Sequence, residues 1–189
     1  MRVEVTILGL LVLAASAHAP TNVDFAVRNV TIIDGTGRTP YVGDVFVDDR
    51  RIVGAGARGD ISLTSDDTID GTGRFLIPGL IDMHAHVASF TPHPEGLDAL
   101  LAAGITTARD MGGDLATLQS WREEVAHGER QGPELIMVGA TLNGGEAAPF
   151  HRVVARPGDA DAAVAEMAQA GAAEIKVHNA LSPNVLSAV

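Results

Sequence analysis

The feature that most constrains the fold is an alternation of strand-like and helix-like segments that begins after Arg74. Four short apolar runs are typical of buried strands: FLIPGLIDMH, ITTARD, ELIMVG and AEIKVHN. Helical patterns separate them, one closed by Gly104, one extending from about Asp114 to Arg130, and one ending at Gly171. Strands that alternate with helices predict a parallel sheet with helices on its outside, an α/β fold.

The number of these units indicates half of a βα barrel. A complete eightfold barrel takes about 250 residues, with about 200 as a lower limit, whereas 114 residues follow position 75 (189 minus 75). Ser182-Pro183 fits the start of a fourth helix, after which the sequence ends. We therefore expect residues 76–189 to form the first four βα units of a TIM-like (β/α)8 barrel that is incomplete in this chain. A self-sufficient four-stranded α/β domain is the alternative.

Residues 20–75 have the pattern of short strands and turns. FAVRNVTIID alternates in polarity, and DVFVDDRRIVGAG predicts a hairpin around Asp48-Asp49. The motif GTGR occurs at 35–38 and again at 71–74, which we interpret as repeated turn chemistry rather than as a structural repeat. This region is expected to be the N-terminal part of a small β-sandwich domain.

The first nineteen residues differ from the rest of the chain. Arg2 is followed by an apolar stretch from Val5 to Ala15 and by the small-x-small sequence at 17–19. This pattern predicts a secretory signal peptide, residues 1–19, and an exported, periplasmic or secreted protein. The apolar stretch is too short to span a bilayer, so we expect no membrane attachment after cleavage. A buried first strand of a cytosolic protein is the alternative.

Charge and cysteine content exclude several classes of function. The formal net charge of -11 argues against nucleic acid as a partner, because phosphate binding needs a basic face. The chain has no cysteine, which excludes disulfides, thiolate nucleophiles and cysteine zinc sites. Any metal ion must therefore be held by nitrogen and oxygen ligands.

The stretch PGLIDMHAHV, residues 78–87, places two histidines at the end of the first barrel strand. Alternation along a strand puts Asp82, His84 and His86 on one face. Two imidazoles so placed can bind one Zn(II), Mn(II), Co(II) or Fe(II) ion, and Asp82 can orient a ligand imidazole from behind. An isolated His-x-His pair is also compatible with surface or core histidines, but the carboxyl ends of barrel strands are where active sites form.

Four segments together resemble the amidohydrolase superfamily of metal-dependent hydrolases: PGLIDMHAHV, AGITTARDMGG, GPELIMVGATLNGG and EIKVHNALS. The similarity is greatest to its imidazolonepropionase-like and Xaa-Pro dipeptidase-like branch. The resemblance implies one or two divalent ions, with Zn2+ the expected ion, and water that attacks an amide-type, non-ester carbon–nitrogen bond. A small-molecule or short-peptide substrate is implied, and a homo-oligomer is compatible with it.

By position in these motifs, His84 and His86 match the metal ligands of the first strand. Lys176 matches the lysine that is carboxylated in many members and bridges two ions. It is the single lysine in a chain with twelve arginines. Arginine could not replace it, since carbamate formation needs a neutral primary amine that guanidinium does not provide.

Three further residues, Asp110, His151 and His178, follow strands two to four and are candidates for lining the pocket or contacting substrate. For Asp110 the alternatives are a hydrogen bond to the turn after strand one and a cap for its own turn. For the histidines, which we place in loops, the alternative is simple solvation.

The resemblance also implies residues that this sequence does not contain. Two more ligand histidines would follow strands five and six, and an aspartate that moves the proton would end strand eight, all beyond Val189. We therefore expect no catalytic residue within this chain, which resembles part of a longer enzyme and should be inactive alone. The alternatives are a non-catalytic relative that serves as a binding or scaffold protein, and a small α/β protein that binds metal without turnover.

Overall fold

The computed structural model describes residues 21–88, 95–145 and 148–189. The predicted signal peptide lies outside the described residues. The chain is a mixed α/β protein that divides into two compact units, and the boundary falls after Pro78. The sequence placed this boundary three residues earlier, at 75/76.

The described part of the first unit is built from short strands: β1 (Thr21–Asn22), β2 (Phe25–Ile32), β3 (Tyr41–Asp48), β4 (Arg51–Ala57), β5 (Leu63–Thr64), β6 (Thr68–Asp70) and β7 (Phe75–Leu76). A five-stranded sheet has the order β4-β3-β2-β6, with β7 also pairing with β2, and β1 pairs separately with β5. The strand pairs β2–β3 and β3–β4 are antiparallel, whereas β6 and β7 run parallel to β2. A β-sandwich in this region stays a prediction.

The predicted hairpin is present between β3 and β4. Its turn is centred one residue later than the predicted Asp48-Asp49, on Asp49 and Arg50, whose φ angles are 45° and 61°. Positive φ at both central residues is the geometry whose twist matches that of the flanking strands. Phe46 from β3 is fully buried beside Val23 and Ala26, and these side chains form one of the two small cores of the sheet.

The two GTGR segments share the same side-chain hydrogen bonds, although Gly35 has a positive φ and the equivalent Gly71 does not. In the first, the Asp34 carboxylate accepts both the backbone N–H of Thr36 at 3.0 Å and its hydroxyl at 2.7 Å. In the second, Asp70 accepts the N–H of Thr72 at 3.0 Å and its hydroxyl at 2.6 Å. Short side chains that bond the backbone two residues on stabilise such turns. The interpretation as repeated turn chemistry is confirmed.

The second unit alternates strands with helices: β8 (Leu80–Ala85), α1 (Glu95–Ala102), β9 (Ile105–Asp110), α2 (Leu115–His127), β10 (Glu134–Met137), β11 (Thr141–Asn143), β12 (His151–Val153), α3 (Pro157–Gln169) and α4 (Pro183–Leu186). Strands β10, β9 and β8 form a parallel sheet in that order. The second and third predicted strands and all predicted helices are therefore present. The first predicted strand, FLIPGLIDMH, is divided: Phe75–Leu76 form β7 of the first unit, and only the residues from Leu80 onward form β8.

The helices begin and end close to the expected residues. The Asp114 side chain caps α2, and Gly128, with a φ of 75°, ends it two residues before the predicted Arg130. Helix α3 begins at Pro157, because a proline at the first position has its φ preset for a helix. The Ser182 hydroxyl accepts the N–H of Val185 and so caps α4 as predicted.

Alternate residues of the sheet pack against the helices. Ala108 of β9 and Met137 of β10 are fully buried with Leu97 of α1 and Leu118 of α2. A second core joins Leu142 of β11 to α3 and α4. Within the described ranges, no helix is long and apolar enough to cross a membrane.

The fourth predicted strand, AEIKVHN, is wrong as a continuous strand. Only Val177 pairs, in a single parallel bridge with Leu142. The cause lies in the neighbouring strand, which is broken between β10 and β11 by Gly139 at a φ of 76°. Ala173 bonds the carbonyl of Met137 before this break, and the chain then pairs with Leu142 after it. A ladder cannot be continuous along a neighbour that bends away.

Candidate functional site

The candidate site begins with the two histidines at the end of β8. We call residues 80–88 the histidine strand. The rings of His84 and His86 have centroids 5.4 Å apart and planes inclined by 57°. Two imidazoles that share one ion at a near-tetrahedral angle have centroids about 5 Å apart, given metal–nitrogen bonds of about 2 Å. The pair is therefore close to the separation that a shared ion needs.

A backbone carbonyl orients the second of these rings. The Nδ1 atom of His86 lies 3.0 Å from the carbonyl oxygen of Gly112. A carbonyl only accepts, so Nδ1 carries the proton and Nε2 carries the lone pair in the neutral ring. Metal-binding histidines commonly donate their other N–H in this way, because the bond sets the tautomer and the direction of the ring.

Gly112 occupies a position that only glycine tolerates. Its φ is 142°, and a Cβ atom there would lie 2.8 Å from Oγ1 of Thr141, 3.4 Å from the Phe150 ring and 3.7 Å from Cε1 of His86. Positive φ and close neighbours both disfavour a side chain. The absence of a side chain at this position lets the carbonyl approach His86.

Asp110 holds the turn that follows His86 and the turn that follows β9. Its carboxylate is fully buried and accepts the N–H of Val87 at 2.7 Å, of Ala88 at 3.4 Å and of Gly112 at 3.0 Å. Both structural alternatives considered for Asp110 are thus realised at once. A carboxylate that satisfies three backbone donors fixes the loop conformation strongly.

Asp82 contacts backbone rather than imidazole. Its Oδ1 atom accepts the N–H of His84 at 2.9 Å. The pairing of β8 with β9 shifts register between Asp82 and Ala85, so strict alternation of side chains does not extend through this part of the strand. Asp82 stabilises the irregular backbone before His84, and the expected orientation of a ring by Asp82 stays a prediction.

Lys176 lies in residues 173–178, which we call the lysine segment. Its side chain is half-buried, and its carbonyl accepts the N–H of Leu142 at 2.9 Å. His178 donates its own N–H back to Leu142 at 2.8 Å. Because extended side chains alternate, Lys176 and His178 lie on the face opposite Val177.

Aromatic rings follow the histidine pair. Phe150 lies 5.8 Å by centroid from His86 and 5.4 Å from His151, and His151 lies 5.4 Å from His178. His151 begins strand β12 and pairs with Thr141, so its predicted loop position is wrong. The amide nitrogen of Asn143 lies 3.4 Å from Nδ1 of His151. His151 and His178, both candidates from the sequence, are therefore neighbours.

Phe150 was missed by the sequence analysis. It is one of four non-glycine residues with positive φ in the described part of the chain, at 59°. Such backbone is rare outside glycine and occurs often at functional sites. No periodicity marks it, and the proximity of two histidine-bearing segments is visible only in three dimensions.

A metal site needs several donor atoms that converge on one ion. In the described ranges, no three His, Asp or Glu side chains come together as a metal site. The ligands predicted from the sequence are two imidazoles, His84 and His86, and one lysine, Lys176. Thr141, 1% exposed, has a hydroxyl without a hydrogen-bond partner among the described residues. Such orphaned buried polar atoms are uncommon and call for a functional explanation. The residues present fit part of a metal site.

Comparison with known proteins gave relatives in both sequence and structure. No protein-family model matches the chain. An adenine deaminase from Shouchella clausii is 38% identical over 88 residues, which are 46% of this chain and 15% of the deaminase. A Bifidobacterium longum structure described as a candidate prolidase has a TM-score of 0.73 at 25% identity, covering 86% of this chain and 42% of the other. A solved amidohydrolase gives 0.65 at 25% identity, with 81% and 46% covered. The chain thus spans less than half the length of each.

Proposed function

We propose that this chain, which belongs to the amidohydrolase superfamily, is part of a metal-dependent hydrolase that breaks an amide-type carbon–nitrogen bond with water. The observation that carries the proposal is the pair His84 and His86, with Nδ1 of His86 held by the Gly112 carbonyl. That arrangement fixes the tautomer and the direction of one of two neighbouring imidazoles before any ligand binds. A structural histidine pair would not need it.

His84 and His86 would hold a divalent ion through their ring nitrogens. Members of the superfamily use divalent metals, and we propose Zn2+ because imidazole suits it. Lys176 would bridge to a second ion after carboxylation, as its match to the family motif suggests. When bound, such ions supply Lewis acidity that makes water a better nucleophile and a carbonyl a better electrophile near neutral pH.

The other residues of the site would orient rather than react. Asp110 fixes the backbone after His86 and the turn that carries the Gly112 carbonyl, so the ring is presented without rearrangement. Such preorganisation is what makes a metal ligand effective. The group that moves the proton is expected beyond Val189, so we propose no catalytic acid or base among the residues of this chain.

The substrate is proposed only as a class. Relatives of the chain act on carbon–nitrogen bonds of small molecules, and their names include adenine deaminase and prolidase. A peptide or a cyclic amide is the proposed substrate of the longer protein. Phe150, His151 and His178 would face it, since the Phe150 ring adjoins His86 and the two histidine rings follow Phe150 in a row.

Metal analysis of the purified full-length protein tests the proposal. The variants His84→Ala, His86→Ala and Lys176→Ala are compared with His127→Ala, an exposed histidine at the end of α2. We expect the first two to lose bound metal and activity, the third to lose part of the metal, and His127→Ala to match the parent. Recovery of the Lys176→Ala variant by a short-chain carboxylic acid would indicate a carbamate. Equal metal content and activity in all four variants would reject the assignment.

Export is a separate proposal. The apolar stretch from Val5 to Ala15 and the small-x-small sequence after it support a cleaved signal peptide. N-terminal sequencing of the protein recovered from a secreting bacterial host should begin at Pro20. A mature protein that retains Met1 in the cytosol would overturn the proposal.

A further inference from the structure

We propose that Arg109 and Glu174 are positioning residues that set the separation between the histidine strand and the lysine segment. The inference rests on the proposed function, because it assigns a purpose to that separation. It concerns two residues that lie 65 positions apart and are paired in the structure by direct contact.

Arg109 contacts both chain segments that carry the candidate ligands. From β9, its Nε atom donates to the carbonyl of Met83 at 2.9 Å, immediately before His84. Its Nη1 atom donates to the two carboxylate oxygens of Glu174 at 2.9 and 3.2 Å. Glu174 lies two residues before Lys176. One rigid guanidinium therefore joins the backbone beside one ligand to a side chain near another.

The Met83 contact lies at the irregular part of β8. Asp82 pairs with Ala108, and Ala85 pairs with Asp110, so Arg109 stands opposite two residues, Met83 and His84. A bulge of this kind leaves a backbone group outside the regular ladder and redirects the side chains beside it. The Arg109 side chain satisfies the Met83 carbonyl and so stabilises the local conformation from which His84 projects.

The lysine segment needs a support of this kind. Its backbone hydrogen bonds to other strands, within the described part of the chain, go to Met137 and Leu142 only. These hydrogen bonds join the segment to β10 and β11 and not to the histidine strand. The Arg109–Glu174 ion pair reaches across β9 to that strand. The distance from His84 to Lys176 therefore depends on one side-chain bridge as well as on the sheet.

The solvent exposure of the ion pair indicates that it positions the two segments rather than stabilises the fold. The Arg109 side chain is 23% exposed and that of Glu174 is 50% exposed. Ion pairs this accessible to solvent contribute little to folding. The planar guanidinium nevertheless restrains direction, since two different nitrogens bond to two different segments. Loss of the bridge should change the site more than it changes the melting temperature.

The first test measures the separation directly and needs no metal. The chain has no cysteine, so spin labels can be attached to single cysteines introduced at Ile81 and Asn179, which are exposed in the described part of the chain. The labelled protein is the full-length one, with any further cysteines replaced. We expect a narrow distance distribution in the parent and a broader one in Glu174→Gln and Arg109→Lys. The control is Glu124→Gln, which breaks the ion pair to Arg130 at the end of α2. A distribution unchanged in both bridge variants would overturn the inference.

The second test measures metal retention by the unlabelled proteins. Glu174→Gln and Arg109→Lys should keep the ion at the histidines and bind the ion at Lys176 about tenfold more weakly, the lower end of the effect expected for residues that support ligands. The visible spectrum of the cobalt-substituted protein should change with them, while the melting temperature stays near that of Glu124→Gln. Melting temperatures that fall in parallel with metal affinity would mean a merely structural role and would also overturn the inference.

The two tests separate this inference from the proposed function. If the parent binds no divalent metal but the bridge variants broaden the distance, the positioning role stands and the proposed hydrolase is rejected. If His84→Ala loses metal but the bridge variants behave as Glu124→Gln in both measurements, the proposed function stands and the bridge is rejected.

Discussion

At the end of β8 a buried carboxylate holds the backbone around the histidines, whereas the lysine segment is held by hydrogen bonds to Met137 and Leu142. Asp110 satisfies three backbone donors with no exposure to solvent. The lysine segment has one bridge residue, Val177, and an ion pair that is partly exposed. Charge-assisted bonds in a buried site are stronger than isolated bonds near solvent.

The histidine strand and the lysine segment are therefore stabilised by contacts of different kinds. The histidine strand has its conformation built by residues close to it in sequence and in the adjacent strand. The lysine segment depends on contacts from farther along the fold, because its neighbour is interrupted at Gly139. We expect substitutions beside the histidines to lower both the stability of the fold and the affinity for metal. Substitutions beside Lys176 should mainly change the position of that lysine.

The largest effect is expected from Asp110→Ala. Three N–H groups of buried turns would lose their acceptor, at a cost of about 3–5 kcal/mol in the free energy of unfolding. The melting temperature should fall by more than about 6 °C. Asp110→Asn is the matched control, since its one oxygen still accepts part of these bonds, and should lose about half as much. An Asp110→Ala variant with the melting temperature of the parent would contradict the proposed difference between the histidine strand and the lysine segment.

Gly112→Ala should have the next largest effect and should weaken both folding and metal binding. The added methyl group meets Thr141 and the unfavourable φ adds strain, together about 1–3 kcal/mol. Displacement of the carbonyl from His86 should weaken metal binding about 10- to 100-fold, as measured by competition with a chelator. Gly128→Ala is the control, because its φ is also positive but nothing lies within 4 Å of the new atom. Equal metal affinity in both variants would contradict the role given to the Gly112 carbonyl.

The smallest effect is expected at the cap of α2, which follows the turn that carries Gly112. Hydrogen bonds from the Thr117 hydroxyl, and then from its backbone N–H, lower the pKa of Asp114. A lowered folded-state pKa means that the stabilisation is present above the unfolded pKa and is lost as the pH falls through the folded value. Asp114→Ala should therefore cost about 1 kcal/mol at pH 7, and this cost should shrink below about pH 4.

Thermal melts of the Asp114 variants between pH 7 and pH 3 check this expectation. Asp114→Asn is the matched variant, since an amide caps a helix without titrating. The melting temperature of Asp114→Asn should stay above that of Asp114→Ala at low pH. An Asp114→Ala cost that stays constant down to pH 3 would contradict the assignment of the cap to the charged carboxylate.

The sequence by itself determined the elements whose signals lie within a few residues. Turn chemistry, capping and apolar periodicity predict the hairpin near Asp49, the caps at Asp114 and Ser182, and the alternation of β8, β9 and β10 with helices. They did not predict β11 and β12. The position of His84 and His86 at the end of β8 was predicted as well. Local interactions decide these features, so local patterns predict them.

The tertiary structure alone decided which distant groups meet. The bend at Gly139 interrupts the fourth strand, although its own sequence is strand-like, because a strand forms only where a neighbour can pair with it. Phe150 comes beside His86, and Arg109 meets Glu174, through contacts that span 64 and 65 positions in the chain. Each contact depends on the mutual placement of several strands, and no spacing within one segment encodes that placement.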